Sequence, residues 1–236
     1  MSKNGLKGSK EISKQAAASS ALNCISSDQY VGVGSGTTIH WLISLLPESE
    51  ISNLYLVPSS LDSLVRLQNN IKQNYKIIDL PPHGLDITID GADKVNPERQ
   101  SVKGGGGALT REKIIREASK KFILVVSSEK VVPKLPMFPI AVEILPFGWR
   151  HTIKRLELFG KRAILRMAKN KLGPVISDNN GYIVDLDLGE RFLEPNEVQL
   201  LEEQLNTVPG VIENGLFGHA ADEVIVGHNS GRVTSY

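Results

Sequence analysis

The stretch QYVGVGSGTTIHWLISLL, Gln29 to Leu46, decides how the chain is built. A short valine-rich run enters a turn with three glycines, and the turn passes straight into an apolar helical pattern. QYVGVG reads as a strand and TTIHWLISLL as a helix. The residues after them repeat that step. ISNLYLVP (51–58) reads as a strand, LDSLVRLQNNI (61–71) as a helix, and LDITID (85–90) as a strand alternating Leu85, Ile87 and Ile89 with polar residues. Beyond a run of four glycines, REKIIREASKK (111–121) reads as a helix and FILVVS (122–127) as a strand. Strands separated by helical crossovers imply an α/β fold with a mainly parallel, doubly wound sheet. Upstream, residues 10–24 read as a helix, and the first eight residues are expected to fray.

The pattern changes near residue 133, where Pro133, Pro136, Pro139 and Pro146 cluster and mark a boundary. FPIAVEIL then reads as a strand and GWRHTIKRLELFG as a helix stopped by Gly160. RAILRMA and GYIVDLDLG read as strands joined through Pro174 and the turn-rich SDNNG. PNEVQLLEEQLNTV is a helix with Pro195 at its start, and VIENGLF a last strand. That order, βαββαβ, is the split ferredoxin-like unit. The strand in ADEVIVG (221–227) is free to rejoin the first sheet.

Composition bounds the function. The 236 residues are 41% hydrophobic and 22% charged with a net charge of +1, so neither a nucleic acid nor a membrane surface is an expected partner. The single cysteine, Cys24, excludes an internal disulfide and a cysteine-based metal cluster. The five histidines show no metal-ligand spacing. No apolar leader and no run of about 20 apolar residues is present. A cytoplasmic protein without metal or cofactor is the expectation.

Three stretches can carry chemistry. In VGVGSGTT (31–38) the glycines let backbone come close, and Ser35, Gly36, Thr37 and Thr38 offer donors at a helix N-terminus, a site for an anion. The spacing is GxGxG rather than GxGxxG, and Pro58-Ser59-Ser60 stands where a ribose-binding acid would end the next strand. A phosphomonoester therefore fits better than a dinucleotide. DGAD (90–93) follows LDITID at its carboxyl end, where open α/β sheets bind ligands. Gly91 and Ala92 leave room there for Asp90 and Asp93. Read alone, it is also an ordinary Asp-Gly turn with a capping aspartate.

KGGGGALTREK (103–113) comes ten residues later. Alone, Glu112 reads as a solvated charge in the first turn of a helix, and Lys103 as a surface lysine. Together they suit carbanion chemistry beside a carbonyl. Backbone N–H groups of Gly104, Gly105 and Gly106 with Lys103 stabilise an oxyanion while a carboxylate moves a proton. Lys130, after FILVVS, sits at another strand's carboxyl end, within reach of a phosphate.

Taken together, these stretches closely resemble type A ribose-5-phosphate isomerases. VGVGSGTT, IDGAD, KGGGGALTREKI, FPIAVEILP, VISDNNGYIVD and PGVIENGLF-GHAADEVIVG run in that family's order through residues 30–227. The resemblance implies a Rossmann-like catalytic domain (1–134 plus 213–236) with a smaller α+β domain (135–212) inserted. It implies a homodimer or homotetramer interconverting D-ribose 5-phosphate and D-ribulose 5-phosphate through an enediolate, in the non-oxidative pentose phosphate pathway. By resemblance Glu112 is the proton-shuttling base, and Lys103 with Gly104 to Gly106 holds the sugar oxygens. Asp90 and Asp93, with Gly91 and Ala92 between them, bind hydroxyls and assist ring opening. Ser35, Gly36, Thr37, Thr38 and Lys130 are similar to substrate and phosphate contacts, and Lys14 to a further phosphate-binding lysine.

The chain departs from the family at DGADK, where Lys94 replaces a usual glutamate. That reverses a charge beside two carboxylates. Two other readings compete. A non-catalytic sugar-phosphate sensor would need a DNA-binding segment, for which the short stretch before the first strand leaves no room. An amino-sugar phosphate isomerase or deaminase would share the fold without KGGGGALTREK.

Overall fold

The computed structural model describes residues 3–70, 74–136 and 138–236. Its helices are α1 (Lys3–Leu22), α2 (Thr37–Leu45), α3 (Leu61–Asn70), α4 (Leu109–Glu117), α5 (Trp149–Leu156) and α6 (Pro195–Asn206). Its strands begin with β1 (Tyr30–Val33), β2 (Tyr55–Pro58), β3 (Lys76–Ile77), β4 (Ile87–Asp90), β5 (Lys94–Val95), β6 (Ser101–Val102) and β7 (Phe122–Ser127). They continue with β8 (Ile140–Ile144), β9 (Arg162–Leu165), β10 (Tyr182–Asp187), β11 (Val211–Asn214), β12 (Leu216–Phe217), β13 (Glu223–Gly227) and β14 (Val233–Ser235).

The chain forms two compact units: Met1–Ala92, Arg111–Val131 and Ala221–Tyr236, and Asp93–Thr110 with Val132–Ala220. The first is Rossmann-like. Its seven-stranded sheet runs β14-β13-β7-β4-β1-β2-β3, parallel except for β14, which pairs antiparallel with β13. The strand order reverses between β1 and β4, the place where such sheets bind ligands. Apolar side chains cover both faces, as a parallel sheet requires. Val31, Val33, Ile87, Ile89, Ile123 and Ile225 pack with Ile39, Leu42 and Ile43 of α2 and with the alanine stripe Ala17, Ala18, Ala21 of α1. Val57, Leu85 and Ile115 form a separate cluster with Tyr30, Ile78 and Leu80. The small alanines let α1 lie close on the sheet.

The second unit contains the expected βαββαβ element, with its antiparallel sheet in the order β11-β8-β10-β9. Ile140, Val142, Ile144, Val184 and Leu186 pack under Leu156 of α5 and Val198, Leu201 and Leu205 of α6. Each such fully buried aliphatic side chain contributes about 1.5–3 kcal/mol.

Two expectations change. The helix written over 10–24 begins at Lys3 rather than after a frayed stretch of eight, and ends at Leu22; residues 1 and 2 lie outside the described residues, as does Ile71, written as the end of α3. VIENGLF is two strands, because β12 leaves the sheet of β11 to pair with β6, which pairs in turn with β5. That three-stranded sheet accounts for residues 93–110 grouping with the second unit.

Candidate active site

In the first unit, the turn after β1 is built against the end of β4. The Gly34 N–H donates to the Ile89 carbonyl at 2.9 Å. Asp90, fully buried, accepts from the Ser35 N–H at 3.0 Å and from the Gly91 N–H at 2.7 Å through the same carboxylate oxygen. Ser63 of α3 donates its hydroxyl to the Gly34 carbonyl at 2.5 Å, so the turn is held from both sides. Gly36, with φ 93°, caps the start of α2 without a side-chain cap. That leaves the first turn's N–H groups available to an anion. Gly36 and Thr37 are exposed there, and Thr38 is buried.

Glu112 lies in the first turn of α4 and is 3% exposed. The solvated helix-end charge that the isolated sequence suggests is thus corrected, because Ser35 donates its hydroxyl to Glu112 Oε1. The structure therefore brings Ser35, Asp90 and Glu112 together on one side of the turn. Ala92 and Lys130 meet as well: the Lys130 ammonium donates to the Ala92 carbonyl at 2.6 Å. Lys14 of α1 pairs with Glu11 at 2.7 Å, and Glu11 in turn accepts from the Trp41 Nε1–H of α2 at 2.9 Å.

In the second unit, Lys103 opens the glycine loop at the end of β6. It too is buried, at 3% exposure, which replaces the surface reading. Its N–H donates to the Gly215 carbonyl at 2.8 Å, and its ammonium stands 5.6 Å from the centre of the Phe217 ring. Asp93 accepts from the Gly105 N–H at 2.7 Å. Gly104 turns the chain at φ 97°, and the Gly107 N–H closes on the Gly104 carbonyl at 2.9 Å. Gly105 and Gly106 are exposed. The chain runs from this loop directly into α4. DGAD itself straddles the division, with Asp90 in one unit and Asp93 in the other.

Sequence reasoning missed two further sets of polar side chains in the second unit. Glu143 of β8 is fully buried and accepts from Thr110, from Ser177 and from Asn179 at 3.3 Å. Arg166, just past β9, pairs with Asp185 of β10 and donates to loop carbonyls. These partners lie tens of residues apart, so no local spacing signals them. Among the described residues no group of three His, Cys, Asp or Glu side chains is placed to hold a metal ion, and no helix is long and apolar enough to cross a membrane.

The family model for ribose 5-phosphate isomerase A (phosphoriboisomerase A) matches residues 55–231. The chain is 39% identical over 218 residues to ribose-5-phosphate isomerase A of Archaeoglobus fulgidus, covering 91% of this chain and 94% of that protein. It is 40% identical over 228 residues to the protein of the same name from Thermococcus kodakarensis, covering 94% and 96%. Among solved structures, a D-ribose-5-phosphate isomerase in complex with phospho-erythronic acid is similar with a TM-score of 0.86 and 38% identity, over 94% of this chain and 96% of that one. Motifs, fold and relatives converge: the chain belongs to the ribose 5-phosphate isomerase A family.

Proposed function

We propose that this protein interconverts D-ribose 5-phosphate and D-ribulose 5-phosphate, with Glu112 as the base. In the forward direction the carboxylate takes the proton from C2, next to the C1 aldehyde. The electron pair then forms the C1–C2 double bond of an enediolate with its negative charge on O1. Return of that proton to C1, with the O2 proton passing to O1, leaves the ketose at C2. The observation that carries this reading is the burial of Glu112 in the first turn of α4 under the Ser35 hydroxyl. A carboxylate shielded from water and held in one direction is suited to move a proton repeatedly between neighbouring carbons.

In this reading Lys103 and the backbone of Gly104, Gly105 and Gly106 hold the sugar oxygens and stabilise their developing charge. Asp90 and Asp93 receive hydroxyls and assist ring opening, beside the small Gly91 and Ala92. Ser35, Gly36, Thr37, Thr38 and Lys130 contact the substrate and its phosphate, at the N-terminus of α2. We read the working form as a homodimer or homotetramer, without metal or cofactor.

The test is ribose 5-phosphate incubated with the protein in deuterated water and followed by NMR. Ketose should form with deuterium entering at carbon. Glu112→Gln should keep its circular dichroism spectrum and lose roughly 10²–10⁴-fold in kcat. Near-native turnover in that variant removes Glu112 from the role, and no turnover by the wild type at high concentration removes the isomerase reading.

A further inference from the structure

Four consecutive glycines give the loop after β6 a wide choice of conformations, yet a charged pair behind it selects one. Arg166 is tied to the small sheet by its own N–H, which donates to the Ile183 carbonyl at 2.8 Å. Its Nε stands 3.0 and 3.2 Å from the two carboxylate oxygens of Asp185, and Nη2 also donates to that carboxylate. The planar guanidinium is thereby fixed in direction. The remaining nitrogen, Nη1, donates to the Gly104 carbonyl at 2.9 Å and the Gly105 carbonyl at 3.1 Å. The pair is sheltered, with the Arg166 side chain 17% and that of Asp185 29% exposed.

In a trans peptide the C=O and N–H point in opposite directions. Two carbonyls drawn to Arg166 therefore send the N–H groups of Gly105 and Gly106 to the other side. The first is taken by Asp93 at 2.7 Å. The second belongs to an exposed residue at which an added Cβ would meet nothing within 4 Å.

We propose that Arg166, locked by Asp185, is a positioning residue that orients the Gly105 and Gly106 peptides, so that the Gly106 N–H is aimed in advance at the enediolate oxygen. This rests on the isomerase reading above. A donor already aimed needs no reorganisation when charge develops, so its value appears in the reaction step more than in substrate binding. An ordinary exposed ion pair would leave kinetics untouched.

The test uses full-length Arg166→Gln and Arg166→Lys, compared with wild type for kcat, KM and ¹⁵N backbone order parameters at Gly105 and Gly106. Arg166→Gln should lose roughly 10–100-fold in kcat with KM within about threefold, the pattern of a misplaced transition-state contact. Arg166→Lys, which keeps one donor but not the fork, should fall between. The order parameters at both glycines should drop from about 0.85 toward 0.6 or below in Arg166→Gln. Affinity for phospho-erythronate, whose carboxylate mimics the charged enediolate oxygens, should fall by the same factor as kcat. Unchanged order parameters, unchanged kcat, or a loss confined to KM would overturn the proposal. Should Arg166→Gln not fold, Asp185→Asn keeps the arginine but loosens it, and the same readouts apply. If wild type itself shows no turnover, the isomerase reading fails, while the order parameters still decide whether Arg166 sets the loop.

Discussion

The turn after β1 and the loop after β6 are both glycine-rich, and the space around their glycines differs. At the first, a Cβ on Gly32 within β1 would stand 1.9 Å from Thr88 Oγ1, and one on Gly34 in the turn would stand 1.9 Å from Asp90 Oδ1 and 2.6 Å from the Asp90 Cα. The protein itself fills that space, because the end of β4 lies against the turn. In the second, a Cβ at Gly106 would meet nothing within 4 Å, and Gly106 is not among the residues with positive φ. Neither packing nor backbone strain calls for glycine there. Gly32 and Gly34 are glycines because the protein's own packing requires it, whereas Gly106 leaves room for something the protein does not supply.

The sharpest way to break that contrast is to add one methyl group to each. Gly34→Ala drives Cβ into backbone as well as side chain, so β4 has to move. We expect it to destabilise the protein by about 3 kcal/mol or more, seen as a lowered midpoint in denaturant, with activity lost as Asp90 shifts. Wild-type stability in Gly34→Ala would mean that the turn is not packed against β4 as described. Gly106→Ala should do the reverse. Its unfolding midpoint should match wild type, while kcat/KM for ribose 5-phosphate falls roughly 10–100-fold because the methyl occupies ligand space. A variant that keeps full activity would show that no ligand approaches Gly106.

How far the sequence foretold this depends on how local each signal is. FILVVS became β7 residue for residue, and LDITID became β4 with Asp90 at its end. Buried parallel strands are continuous apolar runs, so their signal lies within the strand itself. The order of strands and helices in the second unit was legible for the same reason. Strands of two or three residues were not: β3, β5, β6, β12 and β14 are too short for any periodicity to register. The break in VIENGLF turns on Gly215, whose N–H donates to Ala141 and whose carbonyl receives the Lys103 N–H. Those partners lie more than seventy residues away in sequence. The candidate site divides likewise. Asp90, Lys103, Gly104 to Gly106 and Glu112 stood out because they sit in dense local motifs. Arg166 just past β9 and Asp185 within β10 lie in unremarkable sequence, and only the fold of β9 onto β10 sets them behind the loop. The burial of Glu112 and Lys103 was invisible for a similar reason, since a charge at a helix end or loop start reads as solvated until its neighbours are known.

The smallest expected effect tests whether charge also holds the first turn's frame. Asp86, just before β4, accepts from the Tyr30 N–H at 2.9 Å where β1 begins, and from Lys120 at 2.8 Å. The Asp86 N–H donates back to the Tyr30 carbonyl at 2.9 Å, so these contacts set the register of β1 on β4. The Lys120 ammonium, then the Tyr30 N–H, hold the Asp86 carboxyl below the usual carboxylate range. A group whose folded value is depressed stabilises the fold above its unfolded pKa of about 3.9, and that stability is lost as pH falls through the folded value. Lys120 is 75% exposed, so its share is weakened by solvent, and the backbone contact dominates the stability at about 1 kcal/mol. Asp86→Asn should therefore be about 1 kcal/mol less stable than wild type at pH 7. The gap should narrow from about pH 4 downward as the wild-type carboxyl takes up its proton. Its kcat should stay near wild type, in contrast to Arg166→Gln, because Asp86 holds a strand rather than a donor aimed at substrate. Denaturant titrations at pH 7 and pH 3 check this, and an equal gap at both would show that the Asp86 contribution is shape rather than charge.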